Sequence, residues 1–209
     1  MTKSKIIEIF KRFESHNPEP KGELNSVNTY TLLVAVILSA QATDIGVNKA
    51  TEALFKVADT PEKMVKLGLT KLKDHIKTIG LYNAKAENAI KMSQILIDQF
   101  DSQVPGNIDD LVSLPGVGRK TANVVLNIAF GHSTIAVDTH VFRVSNRLGI
   151  AKGDTVEAVE KKLDKAIPAE FKRHAHHWLI LHGRYICKAR KPDCEGCFLN
   201  DICPSRMIS

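Results

Sequence analysis

Apolar residues recur along most of the chain at intervals of three and four positions, the spacing that places them on one face of a helix. Such a segment runs from Ser4 to about His16, and the most apolar segment runs from Thr29 to Ala40. No stretch alternates apolar and polar residues as a half-buried strand does, and no internal repeat is present. We therefore expect an all-α fold of about ten helices with short connections.

Capping residues indicate where some of these helices begin. Asp154 with Glu157 three residues later has the form of a capping box, so we expect a helix to start directly after Asp154. A final helix is expected over about residues 172–185, where apolar residues again recur at helical spacing.

The segment 114–130 combines a glycine turn with a helix that follows it at once. Its first five residues, LPGVG, contain the proline and the two glycines that tight turns need. From Gly118 to Phe130 apolar residues recur at helical spacing, and Gly131 ends the helix. A glycine turn that leads into a helix presents free backbone N–H groups and the positive end of the helix dipole. The segment is therefore a candidate anion site that suits a DNA phosphate.

An amine and a carboxylate stand at the starts of two consecutive predicted helices. Lys120 lies in the first turn of the helix that follows the glycine turn. Asp138 follows eighteen residues later, in the sequence VDTH, where it has the pattern of an N-cap. A nucleophilic amine is one interpretation of Lys120. The ordinary alternatives are a lysine that binds phosphate as a point charge and an aspartate that only caps its helix.

All four cysteines fall within one short segment near the C-terminus. They are Cys187, Cys194, Cys197 and Cys203, with the spacing C-x6-C-x2-C-x5-C. The lack of cysteine elsewhere argues against a disulfide framework and favours a metal centre. Spacing alone leaves zinc and iron–sulfur open, although it departs from the paired CxxC of a zinc ribbon. Four histidines are expected to pack or to lie on a helix surface: His174, His176, His177 and His182.

The sequence LPGVGRKTA resembles the helix-hairpin-helix of DNA repair glycosylases, and VDTH beside it resembles the endonuclease III family in particular. The resemblance implies that Lys120 is the nucleophile and that Asp138 is the carboxylate that assists it. It also implies DNA contacts by Gly116, Gly118 and Arg119 of the hairpin. The cysteine spacing is similar to the 4Fe-4S motif of that family, which implies a structural cluster, with a zinc knuckle as the alternative.

Two other matched segments imply further DNA contacts. Gln41, in LSAQATD, resembles the family's residue that fills the gap left by an extruded base, and an exposed residue at a helix end is the ordinary alternative. Ile79, Gly80 and Leu81, in TIGLYNAKAEN, resemble a turn whose apolar residues wedge between bases, with ordinary packing as the alternative. His140 ends the VDTH motif and is expected to line the site.

Charge and composition are compatible with a nucleic-acid partner. The chain has 209 residues, a net charge of +6 and a pI near 9.1. Lys188, Arg190 and Lys191 lie in the first loop between cysteines, either as a solvated charge run or, as the resemblance favours, as a phosphate-contacting loop.

No targeting segment is visible, and no apolar run reaches the roughly 18 to 20 residues that span a bilayer. We expect a soluble monomer of the cytoplasm, nucleoid-associated and of bacterial type, with no membrane contact.

By the same resemblance, the chain forms two helical lobes with a DNA-binding cleft between them. Residues 22–132 are expected to form a six-helix domain with the hairpin, and residues 1–21 with 133–209 an iron–sulfur cluster domain. The implied activity is a bifunctional DNA glycosylase and abasic-site lyase that acts on double-stranded DNA and removes oxidised pyrimidines in base excision repair. One alternative is an adenine-specific mismatch glycosylase, which is expected to lack the lysine at position 120. The other is a non-catalytic DNA-binding module with a structural metal knuckle.

Overall fold

The structure is a computed structural model that describes residues 1–207. Within this range it contains eleven α-helices and one short 3-10 helix at Asn200–Ile202, and no strand, which confirms the all-α prediction. The α-helices are α1 Lys3–His16, α2 Thr29–Ser39, α3 Asp44–Val57, α4 Pro61–Leu67, α5 Leu69–Ile76, α6 Tyr82–Gln99, α7 Ile108–Ser113, α8 Arg119–Phe130, α9 Thr139–Leu148, α10 Val156–Ala166 and α11 Ala169–Tyr185. None of these helices, in the described part of the chain, is long and apolar enough to cross a membrane.

The chain divides into two compact units. One, which we term the hairpin unit, consists of Glu23–Phe130 and contains α2 to α8. The other, the cysteine unit, consists of Met1–Gly22 together with the chain from Gly131 onward, and contains α1 and α9 to α11. Each unit has its own hydrophobic core.

The core of the hairpin unit is built around α2. Every residue of this helix from Tyr30 to Leu38 is buried, and the helix packs against α3, α6 and α8. A capping box starts it: the Asn28 side chain accepts a bond from the Thr31 N–H at 2.8 Å, and the Asn28 N–H donates to the Thr31 hydroxyl at 3.0 Å. Full burial of each aliphatic side chain contributes about 1.5 to 3 kcal/mol, which explains why so apolar a helix lies at the centre.

The core of the cysteine unit joins α1 to α11 through aromatic side chains. Phe10 and Phe13 of α1 lie with their ring centroids 6.2 Å from that of Trp178. The Trp178 Nε1–H donates to the carbonyl of Asn17 at 2.7 Å, so the buried indole keeps a hydrogen bond. Offset and tilted aromatic pairs of this kind add about 0.5 to 1.5 kcal/mol each beyond their burial.

Two predicted helix starts differ from those observed. Helix α10 is capped by Thr155, whose hydroxyl accepts from the Ala158 N–H at 3.2 Å, so the predicted capping box of Asp154 with Glu157 is wrong. Helix α11 begins at Ala169 rather than near residue 172, because Pro168 at its N-cap is already in an extended conformation and the helical turn follows it directly.

The histidines of α11 are mainly packing residues. His176, His177 and His182 are buried, and the His182 ring lies edge-on to the rings of Phe13 and Phe198 at centroid distances of 5.3 and 5.4 Å. Burial lowers the pKa of His182 to about 4, so its ring is neutral at physiological pH. A neutral aromatic ring is what a packing role requires.

Candidate active site and cysteine centre

The glycine turn of the hairpin unit is held by two buried anchors. Leu114 and Val117 are buried, and the Val117 N–H donates to the Leu114 carbonyl at 3.1 Å, which closes the turn. Gly116 has a φ of +79°, and a Cβ there would lie 3.1 Å from the Cβ of Asn88 on α6. Only glycine combines that backbone conformation with so close an approach. The anchors therefore hold the turn tightly against α6 while its outer residues remain exposed.

Helix α8 begins directly after this turn. The Ala122 N–H donates to the Gly118 carbonyl at 3.0 Å, so Gly118 stands at the N-cap and the first N–H groups of the helix have no partner within it. A Cβ added at Gly118 would meet nothing within 4 Å, so the backbone here is open to an approaching group. Arg119 and Lys120, the first two residues of α8, are exposed. The geometry suits an anion at the helix end with a cationic side chain beside it.

Asp138 of the cysteine unit is the N-cap of α9, which confirms that prediction. Its Oδ1 atom accepts from the N–H groups of His140 and Val141, each at 2.8 Å. The cap therefore uses only one of the two carboxylate oxygens. The three preceding residues, Ile135–Val137, are buried, and they fix the position of the segment that leads to the half-buried aspartate. The carboxylate is thereby oriented before any ligand arrives.

The start of α9 lies unusually close to α11. A Cβ on Gly183 of α11 would lie 2.8 Å from the Cβ of His140, closer than two such atoms can approach. Arg143 also joins the two helices. Its Nη2 donates to the Gly183 carbonyl at 2.7 Å and to His140 Nδ1 at 3.2 Å. Its Nε donates to the Cys187 carbonyl at 3.1 Å.

The four cysteines lie around one cavity at the end of α11. They are Cys187, Cys194, Cys197 and Cys203, and all four are unpaired thiols. Arg147 and His182 also line this cavity. Within residues 1–207, no group of three or more His, Cys, Asp or Glu side chains is arranged to hold a single metal ion.

The chemistry of the four thiols fits an iron–sulfur cluster. Burial raises the pKa of Cys197, and the neighbouring sulfurs of the other three cysteines raise it further. Burial likewise raises the pKa of Cys203. Thiolates that repel one another in this way are stabilised by bonds to metal cations such as those of an iron–sulfur cluster. Arg147 supplies additional positive charge, since its Nη1 donates to the Cys187 Sγ at 3.5 Å.

The first loop between cysteines presents the predicted basic residues to solvent. Lys188, Arg190 and Lys191 are all exposed. Arg147 holds the backbone of this loop from beneath, because its guanidinium donates to the carbonyls of Lys188 at 2.7 Å and Ala189 at 3.1 Å. The loop is therefore a fixed basic surface next to the cysteine centre.

Two turns of the hairpin unit lie side by side. Gln41 is exposed and has a φ of +55°. A Cβ added at Gly80 would lie 3.9 Å from the carbonyl oxygen of Gln41. Leu81 has a φ of +60° and is 63% exposed, whereas Ile79 is 3% exposed and packs in the core. Leu81, and not Ile79, is therefore the apolar side chain presented at this turn. Non-glycine residues at positive φ are strained, and they concentrate at functional sites.

Three cations near these groups were not singled out from the sequence. Arg143 and Arg147 lie one helical turn apart on α9, and their spacing after VDTH is a local signal that could have identified them. Lys85 on α6 is buried, and nothing in the local pattern distinguishes it from a surface lysine.

Comparison with known proteins gives consistent matches. A family model described as the HhH-GPD superfamily base excision DNA repair protein matches residues 34–169, and the iron–sulfur binding domain of endonuclease III matches residues 187–203. Endonuclease III of Rickettsia conorii is 60% identical over 198 residues, which cover 95% of this chain and 94% of the relative. Endonuclease III of Escherichia coli K12 is 59% identical over 203 residues, 97% of this chain and 96% of the relative. The solved structure of a trapped endonuclease III–DNA covalent intermediate has a TM-score of 0.91 at 46% identity and covers 98% of this chain and 97% of its own.

Proposed function

This chain belongs to the endonuclease III family within the HhH-GPD superfamily of base excision DNA repair proteins, and from that premise we propose a bifunctional activity on oxidised pyrimidines. The enzyme is a DNA glycosylase that also cleaves the strand at the resulting abasic site. The observation that carries the proposal is an exposed lysine at the N-terminus of the hairpin helix, in a family with a member trapped as a covalent intermediate with DNA. A covalent intermediate of that kind requires a nucleophile from the protein.

Lys120 is the proposed nucleophile. Its Nζ lone pair forms a bond to C1′ of the damaged nucleotide, the C1′–N bond to the base breaks, and the base leaves with that electron pair and takes up a proton. Opening of the sugar gives a protonated Schiff base, which makes the 2′ hydrogen acidic. Loss of that proton forms a C2′–C3′ double bond while the C3′–O3′ bond breaks and the 3′ phosphate leaves with its electron pair. Water then hydrolyses the Schiff base, which releases the unsaturated aldehyde and restores the free amine.

Asp138 is the proposed partner of Lys120 in this reaction. Its carboxylate accepts a proton from the amine or stabilises the positive charge that grows on the sugar as the base leaves. The two cap bonds to Oδ1 orient the group and leave Oδ2 for this work. A preoriented charge needs no reorganisation during the reaction, which is the condition for a large electrostatic effect.

The remaining predicted residues are proposed to hold DNA. The hairpin backbone at Gly116–Arg119 binds a phosphate at the start of α8. The basic loop at 188–191 contacts phosphates through exposed side chains. Gln41 occupies the space left by the extruded base, Leu81 wedges into the stack with Ile79 packed beneath it, and His140 lines the pocket.

The cluster has a supporting part in this scheme. The four cysteines hold a 4Fe-4S cluster, which when bound cross-links the segment from Cys187 to Cys203. Two arginines connect this segment to the proposed DNA contacts. Arg147 fixes the backbone of the basic loop, and Arg143 connects the Cys187 carbonyl to the start of α9. We further propose that the protein acts as a monomer on nucleoid DNA in the cytoplasm, as suits relatives that come from bacteria.

A substrate comparison tests the proposal. The cluster-loaded protein is incubated with duplexes that contain thymine glycol, an abasic site, adenine opposite 8-oxoguanine, or no lesion, and base release and strand cleavage are measured separately. We expect base release from thymine glycol and strand cleavage at both thymine glycol and the abasic site, with the other two duplexes intact. Release of adenine instead would assign the mismatch activity. Binding of all four duplexes without any reaction would identify a non-catalytic DNA-binding module.

A further inference from the structure

Lys85 of α6 is a buried cation outside the site described above. It is 5% exposed, and its Nζ donates to the carbonyl of Leu38 at 2.9 Å. Lysine is almost never buried to this extent without a specific partner, because an ammonium group loses much hydration on burial. Burial accordingly lowers the pKa of Lys85. A lysine retained here at that cost calls for a physical reason.

The reason lies at the C-terminus of α2. The last four carbonyls of a helix have no partner within it. In α2, three of them accept bonds from the same turn, donated by the Ser39 hydroxyl at 2.8 Å and by the N–H groups of Ala40 and Ala42 at 3.4 and 3.0 Å. The fourth is that of Leu38, and it accepts from Lys85. Lys85 thus completes the cap, and its positive charge faces the negative end of the α2 dipole.

This cap connects the two turns that carry the exposed Gln41 and Leu81. Leu38 lies three residues before Gln41, and Lys85 lies four residues after Leu81, in the first turn of α6. The Lys85 N–H also donates to the Leu81 carbonyl at 3.1 Å. One lysine therefore bonds to the backbone at the base of both turns, through its side chain to one and through its main chain to the other.

We propose that Lys85 is a positioning residue that locks the Gln41 turn to the Leu81 turn, so that both enter the DNA as one rigid element when a base is extruded. The inference rests on the proposed function of these two turns. Both tips have positive φ, a strained state that persists only where the surrounding structure enforces it. Loss of the Lys85 side-chain bond leaves each turn to relax separately.

This role predicts a difference between substrates. A damaged base must be extruded from the stack and its place occupied, which requires both turns. An abasic site has no base to extrude, and its cleavage depends on the nucleophile and carboxylate. A variant that uncouples the turns should therefore release damaged bases more slowly but still cleave the strand at an abasic site.

The test compares Lys85→Met with Lys85→Arg and with Lys91→Met. Methionine keeps an unbranched apolar side chain but lacks the donor, arginine keeps the charge and donors, and Lys91 is an exposed lysine on the same helix. We expect Lys85→Met to slow single-turnover base release from a thymine glycol duplex by ~10-fold or more, with cleavage of an abasic-site duplex within ~3-fold of wild type. Lys85→Arg should recover most of the loss, and Lys91→Met should match wild type on both duplexes.

Two further measurements separate positioning from a general structural effect. Hydrogen exchange should accelerate at residues 40–43 and 79–82 together in Lys85→Met. In a double-mutant cycle, Lys85→Met should add little to the loss caused by Leu81→Ala, because both act on the same element. Should Lys85→Met not fold, Lys85→Gln, whose uncharged side chain is one atom shorter than that of lysine, is measured with the same expectation.

Equal loss on both duplexes, no loss on either, or full additivity with Leu81→Ala would overturn the positioning role while leaving the proposed function intact. A wild-type protein inactive on both duplexes would instead reject the proposed function, and this inference with it.

Discussion

Asp138 is predicted to have two separable roles, as the cap of α9 and as a reacting carboxylate. Both cap bonds fall on Oδ1, at 2.8 Å each. Asparagine caps helices about as well as aspartate, because its amide oxygen accepts the same bonds, whereas alanine accepts none. Asp138→Asn therefore removes the charge and keeps the cap, and Asp138→Ala removes both.

The magnitudes distinguish the two variants. Loss of the cap bonds costs about 1 kcal/mol, and loss of the charge at the helix N-terminus costs a further 0.3 to 1 kcal/mol, roughly. In a chain of this size one kcal/mol corresponds to about 2 to 4 °C in Tm. Asp138→Ala should therefore lower Tm by about 3 to 8 °C and Asp138→Asn by at most about 4 °C. An unfolding free energy of about 5 kcal/mol or more leaves both variants over about 99% folded, so instability cannot account for a large loss of activity.

Single-turnover base release from a thymine glycol duplex measures the second role. A preoriented charge near the reacting centre is worth about 10² to 10³ in rate, so both variants should slow base release by at least ~10²-fold. Binding to a duplex with a non-cleavable abasic analogue serves as the control and should change by less than ~3-fold. Near-normal base release by Asp138→Asn would reduce Asp138 to a helix cap. An equal fall in Tm for the two variants would show that the cap bonds were wrongly assigned.

Three further predictions concern stability and DNA contact. Thr155→Ala should lower the free energy of unfolding by about 1 kcal/mol in chemical denaturation, and Asp154→Ala by no more than a few tenths; the reverse order would restore the cap predicted from the sequence. Gly183→Ala should lower the free energy of unfolding by about 1 to 3 kcal/mol and slow base release, because the added Cβ would lie 2.8 Å from that of His140 and must displace the start of α9. An unchanged Tm would contradict the close packing. Ile79→Ala truncates a core side chain and should lower the free energy of unfolding by about 2 to 5 kcal/mol. Leu81 is exposed, so Leu81→Ala should leave Tm unchanged and weaken binding to a damaged duplex. Similar effects of these last two changes on Tm would contradict their different burial.

The parts of the fold that were predicted correctly depend on local interactions. The Asp138 cap follows from bonds between a side chain and the N–H groups two and three residues later, so the pattern in the sequence contains the whole interaction. The glycine turn and the α8 helix are local in the same sense. The cysteine cluster is confined to residues 187–203, so its spacing alone indicated a metal centre.

The cap of α10 shows where local patterns become ambiguous. Asp154 and Thr155 are both good N-cap residues, and the acidic Glu157 made Asp154 the better match to a capping box. The observed helix starts at Val156, and Val159 and Leu163 are completely buried in the cysteine unit. Burial of these side chains sets the rotation of the helix, and it outweighs a small difference between two caps.

Interactions between distant segments account for what was not predicted. Lys85 and Leu38 are 47 residues apart, and Arg143 reaches a carbonyl 44 residues away. Neither contact has a signature in the neighbouring sequence. The different burial of Ile79 and Leu81 likewise depends on the left-handed conformation of Leu81, which the composition of the turn does not specify.

Borohydride trapping tests the central claim, that Lys120 forms a Schiff base with damaged DNA. Borohydride reduces a protein–DNA Schiff base to a stable covalent bond, which is detected as a shifted band under denaturing conditions. Cluster-loaded wild type and Lys120→Gln are compared on duplexes with thymine glycol and with an abasic site, with binding measured in parallel. We predict an adduct with wild type alone, and retained DNA binding by Lys120→Gln. An adduct formed equally by Lys120→Gln would assign the nucleophile elsewhere, and its absence from wild type on both duplexes would contradict the Schiff-base mechanism.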